Sequence, residues 1–192
     1  MEAGSQLASV ISRTKLVHIP AAASLPILFS GALALSLRLA STNRLAIAAL
    51  IVYGFAMMAA TSNVIVDGFL SPILIGKFLT TTSPTRDTWQ TIVGYNGQLN
   101  EAYAQVFVIS STVAIGLWSF AILKDRILGH IVGIYGLVLA LFILGALASG
   151  GLTLAGHGFR WILLGQILWT MLAGVFLLRA KEYHYASDRG QH

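Results

Sequence analysis

The sequence contains no cysteine, which excludes disulfides, thiolate metal sites and a cysteine nucleophile. Charge is scarce as well: Asp, Glu, Lys and Arg make up 10% of the chain, against about 25% in an ordinary soluble domain. Proline is limited to four residues, so long helices meet few breakers. Catalytic signatures are missing too. There is no HExxH pair and no recognisable Ser-His-Asp arrangement. Gly129 and Gly133 lack the downstream Lys-Ser/Thr of a phosphate loop. The net charge is +5, but no basic stripe interleaved with aromatics exists, so no nucleic-acid partner is expected.

What is present is apolar. Hydrophobic residues make up 56% of the 192, and mean hydropathy is +0.78. A soluble chain of this size has no core large enough to hide that surface, so the solvent for most of it is lipid. The basic residues sit singly at the ends of apolar runs, where Lys and Arg anchor helices at headgroups.

The runs define the domain organisation. Residues 1–15 form a polar N-terminal segment without the pattern of a secretory signal. The transmembrane domain covers 16–179, with spans at about 16–37, 45–66, 102–123, 127–149 and 159–178, and a polar tail follows at 180–192. Arg38 to Arg44 and Lys124 to Arg126 are turns short enough to close antiparallel hairpins. Ala22, Pro26, Ser30 and Ala34 form one small-residue face. Gly129, Gly133, Gly136 and Ala140 form another that contains GxxxG, and small faces let helices approach closely.

The second span ends in Thr61-Ser-Asn-Val-Ile-Val-Asp-Gly-Phe-Leu-Ser-Pro72. Asn63 and Asp67 share a helical face, and Gly68 and Pro72 are expected to break the helix. The apolar piece 71–79 is too short to span and is expected to lie in the interface. A helix then starts with Ser83 as cap, Pro84 at its first position and Asp87 in its first turn. From there the pattern could run helical to Leu123, apart from Gly94 and Gly97; that is longer than a bilayer needs, so residues 87–101 are expected to project from the membrane or fold along its surface. The expected fold class is thus all-α: a polytopic membrane protein, a bundle of five transmembrane helices with one short interfacial helix.

An odd number of spans puts the termini on opposite sides. The N-terminal side carries Arg13, Lys15, Lys77, Arg86 and Arg160. The other carries Arg38, Arg44, Lys124, Arg126, Arg179, Lys181 and Arg189, and it holds the short basic turns. The positive-inside rule then places the C-terminus in the cytoplasm. An outside N-terminus without a signal suggests a further span preceding Met1.

The outer ends of the spans collect His18, Asn63, Asp67, Asn96, Gln98, Asn100, Glu101, Gln105, His157 and Arg160. One reading is an interfacial polar collar, with Asp67 or Glu101 paired to Arg160. Another gathers His18, Asp67, Glu101 and His157 into a metal or acid/base site, since imidazoles and carboxylates suit Zn or Fe. Haem ligation is geometrically open only to His18 with His157. Gln166 and Thr170 share a face with Ala173 and Gly174, where such groups hydrogen-bond a neighbouring helix or contact a ligand. Ser110, Ser111 and Thr112 are expected to return their hydroxyls to their own helix.

Several stretches together carry a resemblance: Leu16-Val-His-Ile19, Ala60-Thr-Ser-Asn63, Asp67-Gly-Phe69 with Pro72, and Ile122-Leu-Lys-Asp-Arg-Ile-Leu-Gly129. Over residues 16–179 the chain resembles a group of uncharacterised bacterial multi-spanning inner-membrane proteins, a domain of unknown function. Members begin with one additional span, which this chain lacks. The resemblance implies a bacterial inner membrane and transfers no catalytic residue.

The expected function is non-enzymatic. It is the binding of a lipid-like or apolar ligand, or of a partner subunit, between helices near the outer side, with no cofactor. Candidate ligand contacts are Asn63, Asp67, Glu101, Gln105 and Gln166. The face Gly129, Gly133, Gly136 and Ala140 is a candidate for homo-oligomer or partner contact. The alternatives are a membrane enzyme or redox protein built on the His/carboxylate set, and an oligomeric transporter subunit.

Overall fold

The computed structural model describes residues 2–41, 43–82, 84–125, 129–150 and 157–189; of residues 2–13, 15, 125, 157 and 179–189 it describes the backbone only. All secondary structure among them is helical. The order is α1 (Glu2–Ala40), α2 (Leu45–Ile65), a π-helical turn (Val66–Leu70), α3 (Ser71–Thr80), α4 (Arg86–Asp125), α5 (His130–Ala148) and α6 (His157–Arg189). Five helical stretches are long and apolar enough to cross a membrane: Leu16–Ala40, Leu45–Thr80, Arg86–Lys124, His130–Ala148 and Gly158–Leu178. The chain is therefore an all-α, multi-pass membrane protein.

The helices outrun the apolar runs that announce them. The polar N-terminal segment is part of α1, which passes through Pro20 and Pro26 to reach 39 residues. The tail likewise continues α6 to Arg189. The helical pattern from 87 to 123 is one helix, α4, of 40 residues, and it runs through Gly94 and Gly97 as well. At 1.5 Å per residue it is about 60 Å long, roughly twice a hydrocarbon core. The reason is common to all three: nothing in these polar flanks stops a helix, and hydropathy reports lipid contact, not helix ends. Asp87 does lie in the first turn of α4, but Pro84 precedes the helix, and Ser83 lies outside the described residues.

Gly68 and Pro72 do not break the second helix. It widens into the π-helical turn and continues as α3, with Ile65, Leu70 and Ser71 all in right-handed helical conformation. Proline brings no N–H, so the turn before Pro72 loses an α-helical donor. The Ser71 N–H reaches back five residues to the Val66 carbonyl, and Ser71 Oγ donates to the same oxygen at 2.9 Å. The interfacial piece is thus the end of a 36-residue helical stretch.

The chain divides into two compact units. Unit 1 comprises Met1–Leu28 and Met57–Phe107; unit 2 comprises Phe29–Ala56 and Val108–His192. The main apolar core belongs to unit 2. Leu35 and Leu39 of α1, Ala46 and Ala49 of α2, Trp118 and Ile122 of α4, Val132 of α5 and Trp169 of α6 are all buried there. Trp118 stacks on Trp169 with ring centroids 6.0 Å apart, and Tyr53 tilts against Trp118 at 5.2 Å. Lipid tails are as apolar as leucine, so this core is held by close packing and interhelical hydrogen bonds more than by release of water. The Trp118 indole donates to Ser36 Oγ at 2.9 Å, Trp169 to the Val132 carbonyl at 3.2 Å, and Tyr135 OH to the Gly165 carbonyl at 3.1 Å.

Of the two small-residue faces, the glycine face of α5 is the one packed inside unit 2. Gly133, Gly136 and Ala140 are buried. A Cβ on Gly133 would lie 2.7 Å from Leu123 Cγ, one on Gly129 2.7 Å from Phe176, and one on Gly136 would collide with Ser119 Oγ and the Trp169 indole nitrogen. On α1, by contrast, Pro26, Ser30 and Ala34 are exposed, and the buried stripe is Ala32, Leu35, Ser36 and Leu39. The extra bulk of Leu35 and Leu39 fills the core that a thinner face would leave empty.

Candidate functional site

Unit 1 holds the polar set at the end of α2. Its centre is a pair from α1 and the π-helical turn. His18 Nε2 lies 3.1 Å from Asp67 Oδ2, and His18 Nδ1 lies 2.8 Å from the Thr14 carbonyl one turn earlier on α1. The His18 side chain is 19% exposed and that of Asp67 47%. The ring rests on Gly68: a Cβ there would come within 2.5 Å of His18 Cβ. Glycine is required at this position by contact, not by an unusual backbone angle.

Two further bonds tie α4 to this region. Asn63 Nδ2 donates to the Asn100 carbonyl at 2.9 Å. Asn96, buried, donates to Ser71 Oγ at 2.7 Å. Ser71 passes its own proton to Val66, so a chain of donors runs from α4 to the carbonyl that the π-helical turn reuses. Asn100 Oδ1 is buried without a hydrogen-bond partner.

The expected residues separate accordingly. His18 and Asp67 meet, and Asp67 has His18 as its partner in place of the expected Arg160. Asn63 is close by in the helix and bonded to α4. Glu101, Gln105 and Gln98 lie on an exposed face of α4. The His157 side chain lies outside the described residues, so neither the four-residue metal set nor the His18–His157 haem pair is described in full. Among the described residues no three of His, Asp and Glu gather into a group able to hold a metal.

Gln166 belongs to unit 2 and is engaged there. Its Nε2 donates to Thr112 Oγ1 at 2.9 Å, and its Oε1 accepts from Ser111 Oγ at 3.1 Å. Both hydroxyls also reach the Val108 carbonyl, at 2.6 Å from Thr112 and 3.2 Å from Ser111. They thus serve their own helix and the neighbouring one together. Thr170 returns its hydroxyl to the Gln166 carbonyl at 2.8 Å.

Ser71 and Thr14 were not signalled by the sequence. A serine directly before a proline, one turn after a glycine, is the pattern that would point to Ser71. Thr14 contributes a backbone oxygen, which any residue supplies. No protein-family model matches the chain, and neither the curated proteins nor the solved structures give a match. The resemblance noted from sequence therefore assigns no family.

Chemically, the unit 1 site offers a half-exposed carboxylate with a histidine behind it and amide oxygens nearby. Such a carboxylate can accept hydrogen bonds and pair with a cationic group.

Proposed function

We propose that this chain is a non-enzymatic multi-pass protein of a bacterial inner membrane that binds a lipid-like amphiphile at the polar edge of unit 1. One observation carries the reading: the Asp67 carboxylate, 47% exposed, is set among outward-facing apolar side chains. Phe69 and Leu70 follow it in the chain, and Leu16, Val17 and Ile19 flank its partner His18; all five are exposed. An anionic contact beside apolar surface suits a ligand with an amine head and an acyl tail. Asn63, part-buried beside Asp67, adds a polar contact for the head. Glu101 and Gln105, exposed on α4, are further contacts, whereas Gln166 is occupied by Ser111 and Thr112. A second copy or partner subunit would have to displace intrachain packing to use the Gly129–Ala140 face.

Native mass spectrometry from mild detergent, with phosphatidylethanolamine and phosphatidylglycerol added in equal amounts, tests the ligand. The wild type should retain the amine lipid in excess, and Asp67→Asn should lose that preference. Equal retention of both lipids by the wild type would end the proposal. The short basic turns support a cytoplasmic C-terminus. Reporter fusions should then read inside at Ser41 and outside at Thr81, and the reverse pattern would invert the orientation.

A further inference from the structure

We propose that His18 and Asp67 form a proton-binding site that fastens α1 to the π-helical turn while it is loaded. The inference stands on hydrogen-bond geometry and does not rest on the ligand reading above.

The argument is a count of protons. Both ring nitrogens of His18 face acceptors: Nδ1 the Thr14 carbonyl at 2.8 Å, and Nε2 the Asp67 carboxyl at 3.1 Å. A carbonyl only accepts, and so does an ionised carboxylate. A neutral imidazole owns one N–H and satisfies one of these two contacts; at the other, lone pair meets lone pair. Both contacts are hydrogen bonds only when the pair holds one proton more. That proton resides on the ring, giving imidazolium and carboxylate, or on the carboxyl, which then donates to Nε2. In either form the pair has no net charge, which is the less costly condition at the edge of a membrane. Without the proton it is a lone anion.

The surroundings make the proton consequential. The ring lies against the backbone of Gly68, with no space for a Cβ, so the His18–Asp67 bond joins α1 directly to the π-helical turn. Single π-helical turns inside α-helices are frequent at functional sites, and this one is held by the Ser71 N–H and hydroxyl, both on the Val66 carbonyl. The Asp67 side chain is half exposed, so the pair is not sealed inside the unit. The other charged or titratable groups on the packed elements are few. They are Glu2, Arg13 and Lys15 on the unit 1 part of α1, Lys77 on α3, and Arg86, Asp87, Tyr95, Glu101 and Tyr103 on the unit 1 part of α4. None is on the unit 1 part of α2; Tyr53 lies in its unit 2 part. Of the α3 and α4 groups, Lys77, Arg86, Asp87, Tyr95 and Glu101 are exposed, and the Arg86 guanidinium sits over the Phe78 ring at 5.2 Å. Asp67 pairs with His18.

The sign follows from the count. The contact is complete while the pair holds that proton and incomplete without it, so it should weaken as the pH is raised. Two measurements on the whole protein in detergent, without added lipid, test this. Nitrogen-15 spectra of histidine-labelled protein, with His18 assigned by His18→Gln, report both ring nitrogens; infrared difference spectra against Asp67→Asn report a protonated carboxyl. On the acid side the expected result is a doubly protonated ring, or a neutral ring beside a protonated Asp67. A neutral ring beside an ionised Asp67 across the whole range in which the protein stays folded would overturn the proposal.

Hydrogen exchange of peptides covering residues 14–20 and 64–72, corrected for the intrinsic pH dependence of exchange, reads the fastening. Protection should fall about tenfold or more from the acid to the alkaline side, the equivalent of one charge-assisted hydrogen bond. His18→Gln and Asp67→Asn should both flatten that dependence. An unchanged pH dependence in the two variants, or none in the wild type, would refute the coupling. Lipid retention is not involved in either measurement, so the two proposals fail separately.

Discussion

The two units solve the same problem, polar atoms among membrane helices, in opposite ways. In unit 2 the buried polar groups are spent on structure. Gln166 is bonded to Ser111 and Thr112, Ser36 to Trp118, and Trp169 to a backbone carbonyl. In unit 1 the helix itself is irregular, its donors run through Ser71 to one reused carbonyl, and an ionisable pair stays half open to solvent. Buried apolar residues in unit 1 are few, Met57, Ala59 and Val66 among them, whereas the large core residues all fall in unit 2. The contrast teaches where change is tolerated. Substitutions in the closely packed core of unit 2 should cost more than those at the irregular, partly exposed end of α2 in unit 1.

Filling the glycine face should break the scaffold first. A side chain at Gly136 has to displace Ser119 and the Trp169 indole, so Gly136→Leu should cost about 3 kcal/mol, the upper end of overpacking. It should show as a large fall in the thermal midpoint in detergent. Gly54→Ala is the control: nothing lies within 4 Å of a Cβ there, and the change should stay neutral or stabilise by about 0.5–1 kcal/mol through helix propensity. Gly68→Ala brings the comparison to unit 1. It should displace His18 while costing clearly less than Gly136→Leu, because the ring it displaces is at a partly solvated edge. Equal losses at Gly136 and Gly68 would mean that the two units do not differ in rigidity.

Removing one interhelical bond should have a smaller effect. Gln166→Leu ends the bonds to Ser111 and Thr112, yet both hydroxyls keep the Val108 carbonyl. The expected loss is about 1 kcal/mol, in line with interhelical hydrogen bonds in membranes. A loss several times larger, read from the same thermal midpoint, would show that the amide organises the α4–α6 packing instead of decorating it.

How much of this was legible in the sequence follows the physics of each feature. The five apolar stretches were, because lipid contact is a composition signal. The glycine face of α5 was, because only small residues permit such close approach. Helix ends were legible only in part: the long helical pattern of α4 was, apart from its two glycines, but polar flanks carry no stop signal, so α1 and α6 run beyond their apolar stretches. The break expected at Gly68 and Pro72 became a π-helical turn because Ser71, one residue before the proline, supplies both an N–H and a hydroxyl to Val66. His18 and Asp67 were each singled out as ionisable groups at helix ends. They also fall in one candidate set with Glu101 and His157, but nothing singles out this pair within it, because the partners are 49 residues apart and no local spacing encodes the contact. Gln166 was read as either a helix linker or a ligand contact, and the hydroxyls of α4 show it as a linker.

The smallest expected effect gives the finest test of how unit 2 uses its polar atoms. Ser36 and Ser119 are both fully buried, and composition cannot tell them apart. Ser36 accepts the Trp118 indole, so Ser36→Ala leaves a buried N–H without a partner and should cost about 1–3 kcal/mol. Ser119 Oγ has no hydrogen-bond partner and lies against the Gly136 backbone. Ser119→Ala removes a hydroxyl that is already unsatisfied, so the fold loses no bond and sheds a desolvated polar atom. It should be neutral within about 0.5 kcal/mol, or slightly stabilising. A loss as large as that of Ser36→Ala would show that Ser119 does have a partner, most simply a buried water. Unit 2 would then contain a hydrated polar site of its own, and the contrast between its closely packed core and the half-exposed carboxylate of unit 1 would have to be redrawn.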